Sequence, residues 1–375
     1  MTLRKISLGL LVSAVCLFFV LRNVDWSQVW AHLRDINPAL FGVSMLLMLV
    51  AYFLMTWRWR HLLDPLEIPS LETGSLDEPK SEGVRDRASL PRLYGMTMVG
   101  YFFNTFFPAR AGDLVRAYLL GKRTGLRKTT ILATVVIEKT FDGMALLIML
   151  LISLIFLPRA LDAGAVRFDP SALAWIAGIA LVAVLVGLWL FYRHNTRIIA
   201  LVERVLGVLP LPDKLQKMAV RLIETFAGGM HVFRKPRPLI SAALISMLVW
   251  IVVLLMFLAA LSSFNSPFPS VLMDPVGLLF ITAVVNLGLL VPALPGNLGT
   301  YEALCVAAMA FFKVDKELAV AFALLFHVGQ IVTILIVGVI AFWSQQLSLS
   351  DLRPVEEQAE QEAEEALVDP DLELA

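Results

Sequence analysis

Long apolar blocks constrain the fold of this 375-residue chain more than any other feature of its sequence. A helix needs about 20 apolar residues to cross the roughly 30 Å hydrocarbon core of a bilayer. Six blocks approach or reach that length, and they cover residues 6–21, 38–57, 131–157, 172–192, 239–261 and 318–343. A buried helix of a soluble protein explains one such block but not six. We therefore predict an all-α, polytopic membrane protein with about six full spans.

The first block poses the question of a signal peptide, because it follows Arg4 and Lys5. No small-residue cleavage pattern comes after it, and the chain continues with Arg22. We therefore expect an uncleaved first span.

Two further apolar blocks, 93–120 and 276–312, are interrupted by proline and glycine and are too short on either side to span. Both flanks of the first block are basic, whereas the flanks of the second carry little charge. Lys and Arg collect in cytoplasmic loops. If both blocks are re-entrant helical hairpins, the inner loops and termini hold 22 Lys and Arg and the outer loops hold six. We therefore predict two hairpins of opposite orientation, both termini in the cytoplasm, and a location in the inner (cytoplasmic) membrane.

The two interruptions resemble each other. Residues 108–114 read PARAGDL and residues 292–298 read PALPGNL, so that Pro, Ala, Gly, Asp/Asn and Leu match in register. Broken segments at corresponding positions of two oppositely oriented halves are typical of transport sites. The match is short, and an inverted repeat and a chance similarity both explain it.

The rest of the chain divides by composition. Residues 1–350 are expected to form a single transmembrane domain, in which 64–90 is a flexible cytoplasmic insertion rich in Pro, Gly, Ser and acids. Residues 196–235 are amphipathic and basic, and they fit a segment on the inner leaflet or a soluble cytoplasmic helix equally well. An apolar stripe with tryptophans over 25–36 predicts an interfacial helix. Residues 351–375 hold ten acids and one base, and we expect a disordered acidic tail.

Ionisable groups at membrane depth are costly, so each needs a partner or a water-filled cavity. Glu138 and Asp142 are four residues apart and share one face of a predicted span. Arginine suits a phosphate headgroup because its planar fork donates two hydrogen bonds, and free backbone N–H groups after a helix break favour anions. The candidate substrate-binding residues are Arg110, Gly112, Asp113, Arg116, Glu138, Asp142, Pro292, Gly296, Gly299 and Glu302.

Structural roles explain the same residues. The arginines then only neutralise the two carboxylates and hold the first hairpin in place, and Glu302 only stabilises a helix start through the helix dipole. The simplest role for His327 and Gln330 is hydrogen bonding between helices. The run Trp57-Arg58-Trp59-Arg60 is typical of an interface anchor.

Other classes of protein are disfavoured. The sequence has no P-loop, no G-x-S-x-G, no H-E-x-x-H and no Cys/His metal spacing, so we expect no metal and no cofactor. No nucleic-acid partner is expected. An enzymatic activity stays open, although transport is favoured over it.

Three motifs in order resemble the lysylphosphatidylglycerol synthase transmembrane-region family. The family pattern R-x-G-[DE]-x-x-R matches residues 110–116, and E-R-x-x-D matches 138–142 with Lys139 in place of Arg. P-x-x-P-G-G-x-G-x-x-E matches 292–302 with Asn297 in place of the second Gly.

This resemblance implies a flippase-like membrane domain without the aminoacyl-transferase domain found in some members. It implies that the chain moves a phospholipid or a polyisoprenoid-linked lipid between leaflets. The expected partner is therefore a membrane lipid with a phosphate headgroup. The alternatives are a membrane subunit of a lipid-modifying or glycosyl-transfer enzyme system, and a non-catalytic scaffold for such a partner enzyme.

Overall fold

The fold is helical throughout the part of the chain that the structure, a computed structural model, describes. That part comprises residues 13–64, 66, 88–106, 111–126, 128–156, 175–183, 186–187, 204, 236–289 and 295–347. Within these ranges every regular element is a helix, and one isolated β-bridge joins Ile36 to Phe264. Predictions for Arg110, Pro292, both termini, the tail 351–375 and most of 64–90 and 196–235 lie outside the described residues.

Among the described residues, four helices are long and apolar enough to cross a membrane, and they agree with four of the six predicted spans. They are α3 (Pro38–Leu63), α6 (Lys128–Phe156), α8 (Pro236–Ser262) and α12 (Lys316–Ser344). In the two other predicted spans the chain is helical over residues 13–21 (α1) and 175–183 (α7). The all-α, multi-pass membrane class is therefore confirmed, whereas the number of six spans stays a prediction.

The start of α3 shows how the sequence sets a helix boundary. Asn37 precedes Pro38, and its Oδ1 accepts hydrogen bonds from the backbone N–H groups of Ala39 and Leu40 at 3.0 and 3.2 Å. An asparagine cap followed by proline satisfies the first free N–H groups of a helix and fixes its first φ angle. The backbone N–H of Asn37 also donates to the carbonyl of Ser263, so α3 begins beside the end of α8.

The first interrupted block forms two helices, α4 (Leu90–Phe106) and α5 (Ala111–Thr124), that pack closely against each other. Their backbones approach at Gly100 and Gly112, where a Cβ on Gly112 would overlap the carbonyl oxygen of Gly100. The Oδ1 of Asn104 accepts the N–H of Gly112 at 2.8 Å. The helix–break–helix arrangement that the sequence predicts is therefore present here.

The outer ends of α4 and α5 lie together at the end of α12. Gln345, which follows α12, donates from Nε2 to the carbonyl of Arg92 near the start of α4 at 3.4 Å. The carbonyl of Gln345 accepts from Arg123 near the end of α5 at 3.1 Å. The chain therefore turns back between α4 and α5 and returns to the level at which it began.

The second interrupted block also forms a broken unit. Helices α9 (Ser270–Met273) and α10 (Pro275–Gly288) precede a 3₁₀ turn at Pro295–Asn297, and α11 (Thr300–Ala310) follows. Gly296 lies at the turn with a φ angle of 68°, in the left-handed region that glycine tolerates best. Helix α11 ends six residues before α12 begins, so the outer end of this unit adjoins the N-terminal end of α12.

The two broken units lie at opposite ends of α12 and their tips meet. His327 of α12 contacts the second unit at Glu302, and Gly338, about 16 Å further along the helix, packs against Phe102 of the first unit. Between them, Gly296 of the second tip packs against the carbonyl of Thr105 in the first tip. The two units therefore approach each other along α12 from opposite ends.

A short helix, α2 (Trp26–Arg34), connects the ends of several long helices. The indoles of Trp26 and Trp30 are exposed, as expected of a helix in the headgroup region. Beside it, Nζ of Lys316 at the start of α12 donates to the carbonyl of Arg22 at 2.6 Å. The end of α1, helix α2 and the start of α12 thus lie at one level.

Candidate functional site

Five ionised side chains from three helices form a buried charge cluster. Arg58 comes from α3, Asp113 and Arg116 from α5, and Glu138 and Asp142 from α6. We call these five residues the charge cluster. Glu138 lies ten residues, or about 15 Å, from the start of α6, so the cluster is well inside the helical bundle.

Arg58 binds Asp142 through both ends of its guanidinium. Nη1 donates to Oδ1 at 2.6 Å and Nη2 donates to Oδ2 at 3.0 Å, and Nη1 also donates to the hydroxyl of Ser246 in α8 at 2.8 Å. The side chain of Arg58 is fully buried. Such bidentate, charge-assisted pairs are among the strongest polar contacts in proteins.

Glu138 bridges the two arginines. Its Oε1 lies 3.3 Å from Nη2 of Arg58, and its Oε2 lies 3.2 Å from Nη1 of Arg116. Nη2 of Arg116 lies 3.1 Å from Oδ1 of Asp113, one turn away on the same helix. The charges therefore alternate along the series Asp142, Arg58, Glu138, Arg116 and Asp113, which contains two cations and three anions.

Two cations in this region lie over aromatic rings. The fully buried indole of Trp59 lies 5.0 Å from the guanidinium carbon of Arg116, and its Nε1 donates to Thr134 at 3.0 Å. Nζ of Lys139 lies 5.9 Å from the ring centroid of Tyr101. The contact with Trp59 orients Arg116 without neutralising it, since a cation over an aromatic face keeps its charge.

Arg116 pairs with Glu138, one of the two carboxylates of α6 that the structural alternative expects the arginines to neutralise. Asp142, which shares that helix face as expected, binds Arg58 instead. The interpretation of residues 57–60 as an interface anchor is wrong for Arg58 and Trp59, because both side chains are fully buried. One signal in the sequence could have indicated that Arg58 is buried. The predicted spans contain more carboxylates than basic residues, and the unmatched carboxylate needs a basic partner.

The second tip holds a separate buried pair, Glu302 and His327. Oε1 of Glu302 lies 2.6 Å from Nδ1 of His327, and Oε2 accepts the backbone N–H of Gly299 at 2.7 Å. The ring of Tyr301 stacks on His327 with centroids 4.3 Å apart, and Gln330 donates to the Tyr301 hydroxyl at 3.1 Å. Hydrogen bonding of His327 and Gln330 between helices is therefore confirmed, as is the placement of Glu302 at a helix start.

The predicted site residues fall into two groups. Gly112, Asp113, Arg116, Glu138 and Asp142 lie at the charge cluster or directly beside it. Gly296, Gly299 and Glu302 lie at the second tip, which touches the first tip but not the charge cluster itself.

The expectation of free N–H groups after the breaks is wrong at two glycines. The N–H of Gly112 donates to the side chain of Asn104, and the N–H of Gly299 donates to Glu302. A helix start that is already capped by a side chain offers fewer donors to an anion. The guanidinium groups are therefore the better candidates for binding a phosphate.

Across the described ranges, no three His, Cys, Asp or Glu side chains lie close enough together to hold a metal ion.

Comparisons with known proteins agree with the helical membrane architecture. The family model described as lysylphosphatidylglycerol synthase TM region matches residues 6–338. Glycosyltransferase AglD of Haloferax volcanii is 27% identical over 374 residues, which cover 94% of this chain and 56% of AglD. The chain thus spans little more than half the length of that relative.

Two shorter relatives match over most of their length. A UPF0104 membrane protein of Methanothermobacter thermautotrophicus is 22% identical over 83% of this chain and 87% of its own length. A UPF0104 membrane protein of Methanocaldococcus jannaschii is 20% identical over 90% of this chain and 94% of its own.

Proposed function

Since this chain belongs to the lysylphosphatidylglycerol synthase TM region family, we propose that it is a flippase-like transporter of a membrane lipid. The lipid is a phospholipid or a polyisoprenoid-linked lipid, and its phosphate-bearing headgroup passes the charge cluster as the lipid moves between leaflets. The observation that carries this proposal is the buried series of ion pairs beside a broken helical unit. An ionisable residue inside a membrane span is by default a candidate functional site, often on a substrate or ion pathway.

The two broken units act as re-entrant hairpins in this proposal. Helices α4 and α5 have 17 and 14 residues, or about 26 and 21 Å, which is shorter than the roughly 30 Å core. Their outer ends lie at the C-terminal end of α12, whereas the second unit adjoins its N-terminal end. Basic residues at the outer end of the first unit support a cytoplasmic position for it and for both chain termini.

Unpaired N–H donors on two arginines support a phosphate as the group that the charge cluster binds. The Nε atoms of Arg58 and Arg116 are buried and donate no hydrogen bond to any described residue. An unpaired buried donor costs about 1–3 kcal/mol, which an incoming phosphate oxygen can recover. The headgroup then displaces a carboxylate from one guanidinium, and the carboxylates re-form their pairs when the lipid leaves.

A leaflet-specific lipid assay tests the transport function. The purified protein is reconstituted into vesicles with a fluorescent phospholipid, and a membrane-impermeant quencher reports the fraction exposed. We expect faster exchange than in protein-free vesicles, and loss of the increase in Arg116→Gln because a neutral amide cannot bind phosphate in two places. Arg123→Gln is the matched control, since Arg123 lies exposed at the outer end of the same unit.

Two results contradict the proposal. One is exchange at the protein-free rate with every phospholipid and polyisoprenoid-linked lipid offered. The other is equal exchange in wild type, Arg116→Gln and Arg123→Gln, which would show that the charge cluster does not contact the headgroup.

Cysteine labelling tests the orientation. In a protein with Cys16 and Cys305 replaced by Ser, single cysteines are placed at Ala31 in α2 and at Lys122 near the end of α5, both exposed. We expect an impermeant maleimide added to intact cells to label Ala31→Cys and not Lys122→Cys. Labelling of Lys122→Cys from outside would reject the re-entrant first unit.

A role in lipid-linked glycosyl transfer is the second candidate, and the similarity to Glycosyltransferase AglD favours it. In that role the chain is the membrane part of an enzyme system and presents a lipid carrier to a catalytic partner. Mass spectrometry of lipids from cells with and without the gene separates the two functions. Disappearance of a glycosylated lipid together with unchanged leaflet exchange would favour glycosyl transfer over transport.

A further inference from the structure

The pair Glu302–His327 is ionisable, buried and separate from the charge cluster. Both residues are almost inaccessible, with relative exposures of 3% and 5%. The two residues belong to different helices, α11 and α12, and the short contact between Nδ1 and Oε1 joins the second tip to the last long helix.

Among the described residues, the helices around the pair offer no counter-charge at that level. Helix α10 and the described part of α1 contain no charged residue, and α12 contains only Lys316 and Glu317 besides His327. Both of these lie in the first turn of α12, about 15 Å or more from His327 along the helix. The remaining ionisable residues of the helices packed against α11 and α12 are Cys16 in α1, His32 and Arg34 in α2, Tyr52, Arg58, Arg60 and His61 in α3, Arg92, Tyr94 and Tyr101 in α4, Arg237 in α8, and Tyr301 and Cys305 in α11. Arg58 is the first charged residue of α3, and it follows Met45, which packs against Gly329, by about 20 Å along the helix.

The charge of the pair therefore depends on one proton. A neutral imidazole carries one proton on its ring nitrogens. When a second proton lies between Nδ1 of His327 and Oε1 of Glu302, the pair is neutral overall. Without it, a carboxylate faces a neutral imidazole, and a net negative charge stays in an apolar environment at considerable cost. Histidine is the side chain whose charge changes nearest to physiological pH, so the pair has the chemistry of a proton carrier.

The same carboxylate holds the tip in its present shape. Oε2 of Glu302 fixes the N–H of Gly299, whose φ angle of 84° places its backbone against Ser13 of α1. Three residues earlier, Gly296 packs on Thr105 at the tip of the first unit. These contacts connect Glu302 to both tips through the backbone.

We propose that Glu302 and His327 form a proton-binding site that couples proton movement across the membrane to movement of the two tips, and so to lipid transport. The inference rests on the proposed function and assigns its energy source. The protonated pair stabilises the arrangement in which the tips touch. Release of the proton leaves a buried negative charge, and the second tip separates from α12 to expose it to water. One proton enters from one side and leaves on the other, with no other chemical change.

Transport under a pH gradient tests the coupling. Vesicles with a trapped pH-sensitive dye report proton flux while the fluorescent lipid reports exchange. We expect lipid exchange in wild type to depend on the gradient and to carry protons, and His327→Gln to lose both because glutamine can still contact Glu302 but cannot take up a proton. Thr333→Val is the control, since it removes a polar group from α12 two turns away and its hydroxyl bonds only to the backbone of its own helix among the described residues.

Gradient-independent exchange in wild type would overturn the coupling and leave the proposed function standing. Gradient-dependent exchange in His327→Gln equal to that of wild type would also overturn it.

A direct titration tests the site without any transport. Nuclear magnetic resonance of histidine-labelled protein is recorded from about pH 5 to about pH 9, and the signal that disappears in His327→Gln is assigned to His327. We expect that signal to titrate in wild type and to shift its midpoint to lower pH in Glu302→Gln, which removes the negative charge beside it. A His327 signal that does not titrate, or that ignores Glu302→Gln, would overturn the proton site. If no lipid moves but His327 titrates as expected, the proposed function fails and the proton site remains.

Discussion

Replacing Arg58 by Gln removes the cation that holds α3 against α6. Arg58 binds Asp142 through two hydrogen bonds of 2.6 and 3.0 Å and also contacts Glu138 at 3.3 Å. Removing one partner of a buried ion pair costs about 3–5 kcal/mol because the other charge stays buried. Asp142 keeps 16% of its side-chain surface exposed, which places the expected loss near the lower end, at about 3 kcal/mol of the free energy of unfolding.

A double-mutant cycle isolates the pair from the rest of the cluster. Wild type, Arg58→Gln, Asp142→Asn and the double variant are unfolded with sodium dodecyl sulfate in mixed micelles, and the four free energies are compared. We expect the double variant to recover about 2 kcal/mol relative to the sum of the single losses, within the range for residues in direct contact. Arg60→Gln is the control, because Arg60 is half-buried on the same helix and forms no ion pair with any described residue.

Two outcomes would refute this reasoning. A coupling energy below about 0.5 kcal/mol would show that Arg58 and Asp142 act independently. A loss in Arg60→Gln as large as that in Arg58→Gln would show that any arginine at this end of α3 matters equally.

Further predictions concern backbone packing, a helix cap and the tail. In the same unfolding assay, Gly112→Ala should lower the free energy of unfolding by about 1–3 kcal/mol, because its methyl group overlaps the carbonyl of Gly100. The control Gly42→Ala, whose methyl group meets nothing within 4 Å, should change it by less than about 1 kcal/mol. Asn37→Ala should cost about 1 kcal/mol through loss of its two cap hydrogen bonds, and an unchanged value would show that the cap is dispensable. Deletion of 351–375 should leave the folded yield and lipid exchange unchanged, and a lower yield by size-exclusion chromatography would contradict that expectation.

The long helices and their interruptions could be predicted because their causes are local. The length of an apolar block and the presence of a proline or glycine act within a few residues, whatever the rest of the chain does. The start of α3 follows from such a local signal, the Asn37 cap before Pro38. The number of blocks that cross the membrane depends on contacts with distant segments. The sequence indicates that number only through the distribution of Lys and Arg between the loops.

The partners of the charged residues could be predicted only in part. Arg116 and Glu138 are close in the chain, and a short connection between their helices limits where each can go. Arg58 and Asp142 are 84 residues apart in the chain. The sequence around Arg58 fits a residue at the membrane–water interface as well as it fits a buried residue. The caps supplied by Asn104 and Glu302 likewise depend on how the chain turns back at each tip.

The separation of Arg58 from Asp142 in the chain also has a consequence for how the protein is made. At roughly 5–20 residues per second, about 4–17 s pass between synthesis of the arginine and synthesis of its carboxylate. During that time α3 is in the membrane with an unpaired cation, which costs about 2.5–3.5 kcal/mol at the centre of a helix. Arg58 lies only five residues before the end of α3, so its long side chain can reach the headgroups while it waits. We therefore expect α3 to insert first at a shallow position and to reach its final depth only when α6 arrives from the ribosome.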